Sequence, residues 1–281
     1  MNSIESIKLI DVVKIKQEFI LSDFLPMPKN TITMLSSQGG MGKSFLSLII
    51  SGRFINETNQ SVAAWFTEDE APFVKDRYDK LLENGLLTPI NEKKLHLITT
   101  APPQLARIER GVFVANYEEL KNLRLWCAEK EIKLLIIDPL LAFYGGDENN
   151  NAQARTFMQP FIEFCKNDNI NILFIHHSSK ASADNPSKTR GAGAFIDAVR
   201  CAYEMSYPTT KSGAKEILDA EKIEKGYRFI KNTKDNRGVR QHLNRNGWVA
   251  FATEMKVLPE IKKHIRVEVM EYNDKIEMQR V

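Results

Sequence analysis

The sequence predicts an α/β fold in which a mostly parallel central sheet is flanked by helices. Short apolar runs typical of buried parallel strands alternate with stretches of helical periodicity, and several of these runs end in polar residues. The runs span residues 31–35, 62–67, 95–99, 134–138 and 172–177. Ligands bind at the carboxyl ends of the strands in open sheets of this class, so these polar residues are candidates for a binding site.

The first apolar run leads through a glycine-rich segment into a helix. Residues 37–44 read Ser-Gln-Gly-Gly-Met-Gly-Lys-Ser, which is the phosphate-binding P-loop pattern with Ser37 in place of its first glycine. Glycines let the backbone curl around a polyphosphate, and the following helix begins with unpaired N–H groups. An ordinary glycine-rich turn is the alternative. The residues predicted to bind the nucleotide are Gly39, Gly40, Met41, Gly42, Lys43, Ser44 and Phe45.

Within this loop, Lys43 is expected to reach the β- and γ-phosphates of ATP and Ser44 to hold Mg2+. Asp138 ends a buried apolar run and is interpreted as the Walker B carboxylate that binds Mg2+ beside Ser44. Glu68 begins the acidic cluster 68–70 directly after the second predicted strand. These acids could serve catalysis, or they could cap the next helix and favour its positive end.

Two adjacent histidines end the predicted strand over residues 172–177. Neighbouring strand residues point to opposite faces, so the pair suits one metal poorly, and a core histidine beside a surface histidine is the alternative to a site. The site interpretation places His177 near the γ-phosphate. Beyond it, residues 178–193 form a polar predicted loop that is suited to ordering on binding.

The region 211–245 holds ten Lys or Arg and five Asp or Glu, interleaved with strand-like pieces. Its charge suits a phosphate backbone and equally suits a solvated surface. The strand-like residues 227–231 and 247–251 predict a C-terminal β-hairpin extension of the sheet.

Composition excludes several classes of protein. The chain has 281 residues, 43% hydrophobic and 27% charged, which excludes disordered and fibrous proteins, while a net charge of +3 says little about partners. Cys127, Cys165 and Cys201 lie far apart, which argues against a disulfide framework and a zinc site. No run is apolar enough to span a membrane, so we expect a cytoplasmic protein without a membrane partner.

In combination, the motifs resemble the RecA-like ATPases of the RepA type, which are plasmid-encoded hexameric replicative helicases, and their AAA-family relatives. The resemblance rests on residues 37–44, 65–70, 135–139, 174–180, 189–193 and 197–200. It implies a RecA-like P-loop fold with ATP and Mg2+ bound between neighbouring subunits of a ring. It further implies that Glu68 polarises the attacking water, that His177 is a sensor, and that Arg200, or as second candidate Arg190, is an arginine finger.

The residue patterns, together with the resemblance, predict a domain organisation. We expect an N-terminal packing or interface segment over residues 1–28, a RecA-like ATPase domain over 29–253 and a tail over 254–281 that includes a short helix at 258–267.

The function implied is an ATP-hydrolysing motor on single-stranded DNA, assembled as a homo-oligomeric ring, with replication-initiation proteins as further partners. One alternative is a regulatory or scaffolding ATPase that works through protein partners without unwinding DNA, favoured by the few aromatic residues in the basic region. Another is a recombinase-like filament former, because closure into a ring depends on interface geometry.

Overall fold

A computed structural model describes residues 6–177, 192–212, 215–221, 227–239, 252–258 and 264–268. The helices are α1 Lys43–Thr58, α2 Ala71–Glu83, α3 Tyr117–Glu129, α4 Asn151–Asp168 and α5 Ala192–Ala198. The strands are β1 Phe19–Ile20, β2 Met27–Pro28, β3 Ile32–Ser37, β4 Ser61–Phe66, β5 Leu95–Ile98, β6 Ala106–Glu109, β7 Val112–Ala115, β8 Ile132–Asp138, β9 Asn171–His177, β10 Cys201–Ser206, β11 Thr209–Ser212, β12 Lys215–Leu218, β13 Tyr227–Asp235, β14 Ala252–Leu258 and β15 His264–Glu268. Among the described helices, none is both long enough and apolar enough to cross a bilayer.

The central sheet has the strand order β15-β14-β13-β10-β3-β9-β8-β4-β5. The strands from β10 to β5 are all parallel, and β13, β14 and β15 add to them in antiparallel fashion. The predicted α/β fold with a mostly parallel sheet and a β-hairpin extension is therefore confirmed. P-loop strand β3 lies inside the sheet, so the loop that follows it starts from a position fixed on both sides.

The extension differs in detail from the prediction. Residues 264–268 form β15, with Val257 opposite Ile265 and Leu258 opposite His264, where a short helix was expected. The expected helix is wrong there because these residues alternate in polarity with period two, which suits a ladder with β14. The strand expected over 247–251 lies outside the described residues.

The core forms two layers, one on each face of the sheet. Strand β8 shows the alternation: Leu134 and Ile136 pack on the α1 and α2 side, whereas Leu135 and Ile137 pack on the α3 and α4 side. All three cysteines are buried without a disulfide, as expected of small core residues. On α4 the buried apolar side chains form one stripe, and Ile162 is 39% exposed because it lies off that stripe.

A two-stranded ladder of β1 and β2 holds the N-terminal segment against this core. Tyr203 on β10 is fully buried, and its hydroxyl donates a hydrogen bond of 2.6 Å to the carbonyl of buried Pro26. The side chains of Phe24 and Leu25 are buried in the α1 layer. Residues 19–28 thus pack on the folded domain, within the stretch 1–28 that was expected to be a packing or interface segment.

The hairpin of β6 and β7 was not predicted. It turns at Arg110 and Gly111, both with positive φ. Helix α3 begins directly after Asn116, whose side chain makes no capping bond. Instead, Asn116 Nδ2 donates to the carbonyl of Gln104 at 3.1 Å and helps to hold the hairpin.

Replacing Tyr203 by Phe should lower the free energy of unfolding by about 1–2 kcal/mol, because the buried carbonyl of Pro26 loses its donor. Urea titration monitored by circular dichroism measures the change. The matched control is Tyr117→Phe at a site that is 70% exposed, where a change within about 0.5 kcal/mol is expected. Equal effects of the two substitutions would contradict the structural role of the Tyr203 hydroxyl.

Candidate nucleotide-binding site

The loop between β3 and α1 has the backbone that a phosphate cradle requires. Gly40 and Gly42 have φ of 72° and 97°, in the left-handed region, and Gly42 caps α1 without a side-chain bond. A Cβ added at Gly39 or Gly40 would meet no atom within 4 Å, so the loop faces open space. Ser37, where the pattern has glycine, is fully buried and has no positive φ, so the substitution is tolerated.

Lys43 is 5% exposed and folds back over this loop. Its ammonium donates to the carbonyl of Gln38 at 2.9 Å and to the carbonyl and hydroxyl of Ser37 at 3.2 and 3.1 Å. Burial lowers the pKa of Lys43, while Asp138 and Glu68 oppose the shift. The ammonium is therefore held by neutral oxygens that it can exchange for those of a phosphate.

Ser44 and Asp138 meet at the carboxyl end of β8. The hydroxyl of Ser44 donates to Asp138 Oδ2 at 3.0 Å. Burial raises the pKa of Asp138 to about 6, although the Ser44 hydrogen bond and the Lys43 charge oppose it. A hydroxyl and a carboxylate are hard oxygen ligands that suit Mg2+. No three His, Cys, Asp or Glu side chains of the described chain form a metal cluster, so this pair would hold Mg2+ together with phosphate and water oxygens.

His177 lies between Lys43 and Glu68. Its Nδ1 is 3.2 Å from the Lys43 ammonium, and its Nε2 is 3.7 Å from a carboxylate oxygen of Glu68, too far for a hydrogen bond. Burial, followed by the Lys43 charge, lowers the pKa of His177, so the ring is neutral at pH 7. Glu68 is 66% exposed at the mouth of the site.

The other histidine points into the core, as the alternation along β9 predicts. His176 is fully buried, and its ring centroid is 5.6 Å from that of Phe195 on α5. Neither ring nitrogen has a hydrogen-bond partner among the described residues, and burial lowers the pKa of His176 to about 4. The strand therefore gives one histidine to the site and one to the core.

Comparison with protein families agrees with this geometry, since the model of a family described as an AAA domain matches residues 20–183, more than half of the chain. The chain belongs to the AAA domain family. A comparison with curated proteins found no match. The matched range of the AAA domain includes the P-loop, Glu68, Asp138 and His177, and it ends before Arg190 and Arg200. The chain is thus an AAA-type P-loop protein, a class that binds ATP with Mg2+.

The sequence did not indicate one ion pair of the AAA domain. Arg77 on α2 forms a bidentate pair with Asp69, with Nη2 at 2.7 Å from Oδ1 and Nη1 on Oδ2. The guanidinium also lies 5.7 Å from the ring centroid of Phe45 on α1. Asp69 is thus engaged in joining the end of β4 to the P-loop helix, and Glu68 is the neighbouring acid that faces His177. The only signal in the sequence is an arginine two helical turns after the acidic cluster.

The structure places the side chains of two predicted nucleotide contacts, Met41 and Phe45, against the core. The Met41 side chain is 1% exposed and packs in the core, so only its backbone remains for a phosphate. Phe45 is half-buried against the same core layer and beneath Arg77. Both side chains therefore anchor the loop and helix, because their apolar surfaces are taken up by packing.

The structure does not bring Arg200 to Lys43 of the same chain. Exposed Arg200 precedes β10, whose Cys201 lies opposite Thr33 and whose Met205 lies opposite Ser37. It therefore sits at the amino edge of the sheet, five residues or about 16 Å of strand from the level of Ser37, where the P-loop begins. The second candidate, Arg190, lies outside the described residues.

The chain around Arg200 is held by β13 and the residue after it. The N–H of Asn236 donates to the Arg200 carbonyl at 3.0 Å. The Lys234 ammonium donates to the carbonyls of Ile196 and Asp197 at 3.0 and 2.9 Å, at the end of α5. The exposed arginine thus projects from a fixed backbone.

Replacing Asp138 by Asn should stabilise the nucleotide-free protein at pH 7.5 by on the order of 1–3 kcal/mol. The carboxyl has a folded-state pKa of about 6 against an ordinary value of 3.8, so ionisation costs stability above pH 6 and nothing below the ordinary value. The gain should therefore vanish near pH 3.5. Urea titrations at both pH values, without nucleotide or magnesium, measure it.

Exposed Asp11 supplies the matched control, since Asp11→Asn should change stability by less than about 0.5 kcal/mol at either pH. A gain from Asp138→Asn that is the same at both pH values would contradict the raised pKa.

Proposed function

We propose that this AAA-domain protein is an ATP-hydrolysing motor that assembles into a hexameric ring and acts on single-stranded DNA, as RepA-like replicative helicases of plasmids do. The observation that carries the proposal is the separation of Arg200 from Lys43 on opposite edges of one sheet. An exposed arginine on a fixed backbone at the amino edge suits the nucleotide site of a neighbouring copy.

Within one subunit, the residues divide the work of phosphoryl transfer. Lys43 would turn from the carbonyls of Ser37 and Gln38 to the phosphates, and Ser44 with Asp138 would hold Mg2+. When bound, Mg2+ neutralises charge on the β- and γ-phosphate oxygens. Glu68 is the acid at the mouth of the site that is free to orient a water molecule, because Asp69 is paired with Arg77.

The finger would act between subunits. An arginine supplied in trans contributes on the order of 10³–10⁵ in rate, so hydrolysis becomes conditional on assembly. Arg200 is our first choice because of its position and exposure, and Arg190 is the second candidate on the resemblance to RepA-like proteins. His177, neutral and between Lys43 and Glu68, is suited to respond to a γ-phosphate.

The proposal of single-stranded DNA as the partner is supported by the basic excess in residues 211–245. On the described part of this region, Lys231 and Arg237 are exposed along or just after β13. Arg228 is engaged instead, since its guanidinium lies 4.7 Å from the ring centroid of Tyr207. Replication-initiation proteins are the further partners that this function would require.

Steady-state ATP hydrolysis over a series of protein concentrations, with and without single-stranded DNA, tests the proposal. We expect stimulation by DNA and a rate that rises faster than linearly with protein, because each finger is supplied by a neighbour. Lys43→Ala is the control, since it should keep the fold and abolish turnover. A flat response to both DNA and protein concentration would contradict the motor and favour a regulatory or scaffolding ATPase.

Mixing two inactive variants tests the finger. Arg200→Ala should bind ATP and hydrolyse it about 10³-fold more slowly, and Glu68→Ala should also be inactive. Mixed assemblies should regain part of the activity, because some interfaces pair an intact Glu68 with an intact Arg200. Absence of rescue in assemblies that demonstrably contain both variants would contradict a trans role for Arg200, and the same mixture with Arg190→Ala then tests the second candidate.

A further inference from the structure

The N-terminal arm, residues 6–17, presents an unusual run of exposed aliphatic side chains. Isolated exposed apolar residues are common, but a contiguous exposed apolar strip marks an interaction site. The members, with their exposed fractions, are Ile7 77%, Leu9 88%, Ile10 90%, Val12 54%, Val13 81% and Ile15 87%. Nothing in the described chain covers them, so the fold of one copy leaves this surface unused.

The arm starts from a fixed point at the amino edge of the sheet. Directly after it, β1 pairs with β2, the N–H of Lys29 donates to the carbonyl of Glu18 at 2.9 Å, and their side chains form an ion pair at 2.6 Å. Asn30 then binds the Asn171 side chain at the start of β9 through its N–H, at 2.8 Å. The arm therefore leaves from the edge of the sheet that also carries Arg200.

We propose that the N-terminal arm binds a second copy of this chain, namely the copy whose nucleotide site receives Arg200. This inference rests on the proposed function, because both features leave one edge and would meet the same neighbour. Residues 6–16 span up to about 35 Å when extended, enough to cross the facing edge of that neighbour. The arm thus adds apolar contacts to the interface between copies, to which Arg200 by itself would contribute one charged contact.

The receiving surface that fits is the carboxyl edge around the start of α2. There Phe73 is 60% exposed in the first helical turn, directly after the acidic cluster 68–70. The arm carries three lysines and one aspartate, a net charge of +2, which complements exposed Glu70, the acid of that cluster that is neither paired with Arg77 nor assigned to catalysis. An apolar basic segment therefore faces an exposed aromatic ring beside acidic side chains.

The backbone of the arm favours a protein partner over a membrane surface. Apart from one short 3-10 turn at Leu9–Asp11, the arm has no helix, and Val12 is extended with φ of −83° and ψ of 117°. A segment that lies in a bilayer interface is typically a continuous amphipathic helix with its charges on one face. An extended arm instead lies along another chain, as in strand-like recognition.

The test compares the assembly of three full-length proteins by sedimentation velocity, in the presence of Mg2+, a non-hydrolysable ATP analogue and a single-stranded oligonucleotide. The arm variant is Ile7→Asp with Ile10→Asp and Val13→Asp, and it should raise the midpoint concentration for assembly about tenfold or more. The matched control is Ile108→Asp with Val112→Asp, at sites 60% and 62% exposed on the β6–β7 hairpin, and it should assemble like the natural chain. All three should bind a fluorescent ATP analogue and melt at the same temperature.

A cross-link tests the receiving surface, with Ile10→Cys in one copy and Phe73→Cys in another, since the three natural cysteines are buried. We expect a disulfide-linked dimer under mild oxidation that depends on both substitutions. If the arm variant loses assembly but the Cys variants form no cross-link, the proposed receiving surface is wrong. Unchanged assembly of the arm variant would overturn the inference. So would a result in which the natural chain binds phosphatidylserine vesicles through the arm while the arm has no effect on assembly.

The outcomes separate this inference from the proposed function. An arm variant that assembles normally, together with rescue between Arg200→Ala and Glu68→Ala, would reject the arm and retain the trans finger. A natural chain that stays monomeric at every concentration, with nucleotide and DNA, would reject both.

Discussion

The burial of two opposite charges at one edge of the sheet is the constraint on which the site depends. Parallel strands bring Lys43 and Asp138 together, each only 5% exposed, and burial is the largest influence on the pKa of both groups. It lowers the pKa of the lysine and raises that of the aspartate to about 6, so each is shifted toward its neutral form despite the other's charge. Ligands that supply a negative charge to Lys43 and a positive charge to Asp138 remove this cost. Phosphate together with Mg2+ is the combination that does so.

The parts of the fold that could be predicted are those set by local pattern. Apolar runs gave the parallel strands, the glycine spacing located the P-loop, and strict alternation separated His176 from His177. The parts that escaped prediction depend on contacts distant in sequence. The Asn116 side chain serves the Gln104 carbonyl rather than its own helix, and β15 becomes a strand because β14 offers it a ladder. The pair of Asp69 and Arg77 depends on the geometry of a strand-to-helix junction that spacing alone does not specify.

The direction of the strands separates the two halves of the proposed catalytic centre. Residues that precede a parallel strand and residues that follow one lie on opposite edges, so Arg200 before β10 and Ser37 at the end of β3 are separated even though their strands are neighbours. The family match ends at residue 183, whereas Arg200 and the antiparallel strands that hold it lie beyond that point. The match with the AAA domain therefore covers the nucleotide side, whereas Arg200 and the N-terminal arm, which suit an intersubunit role, lie outside it.

The charged groups on either side of His177 also decide which of its ring nitrogens carries the proton. A neutral imidazole next to an ammonium must present its lone pair to it, so Nδ1 accepts from Lys43 and the proton resides on Nε2, which faces Glu68 at 3.7 Å. The tautomer is therefore set by the position of Lys43, and movement of the ammonium to a phosphate removes the interaction that fixes it. Because His177 ends the strand beside β3, any such change occurs where the P-loop begins. The direction of hydrogen bonding at His177 consequently depends on where the Lys43 ammonium lies.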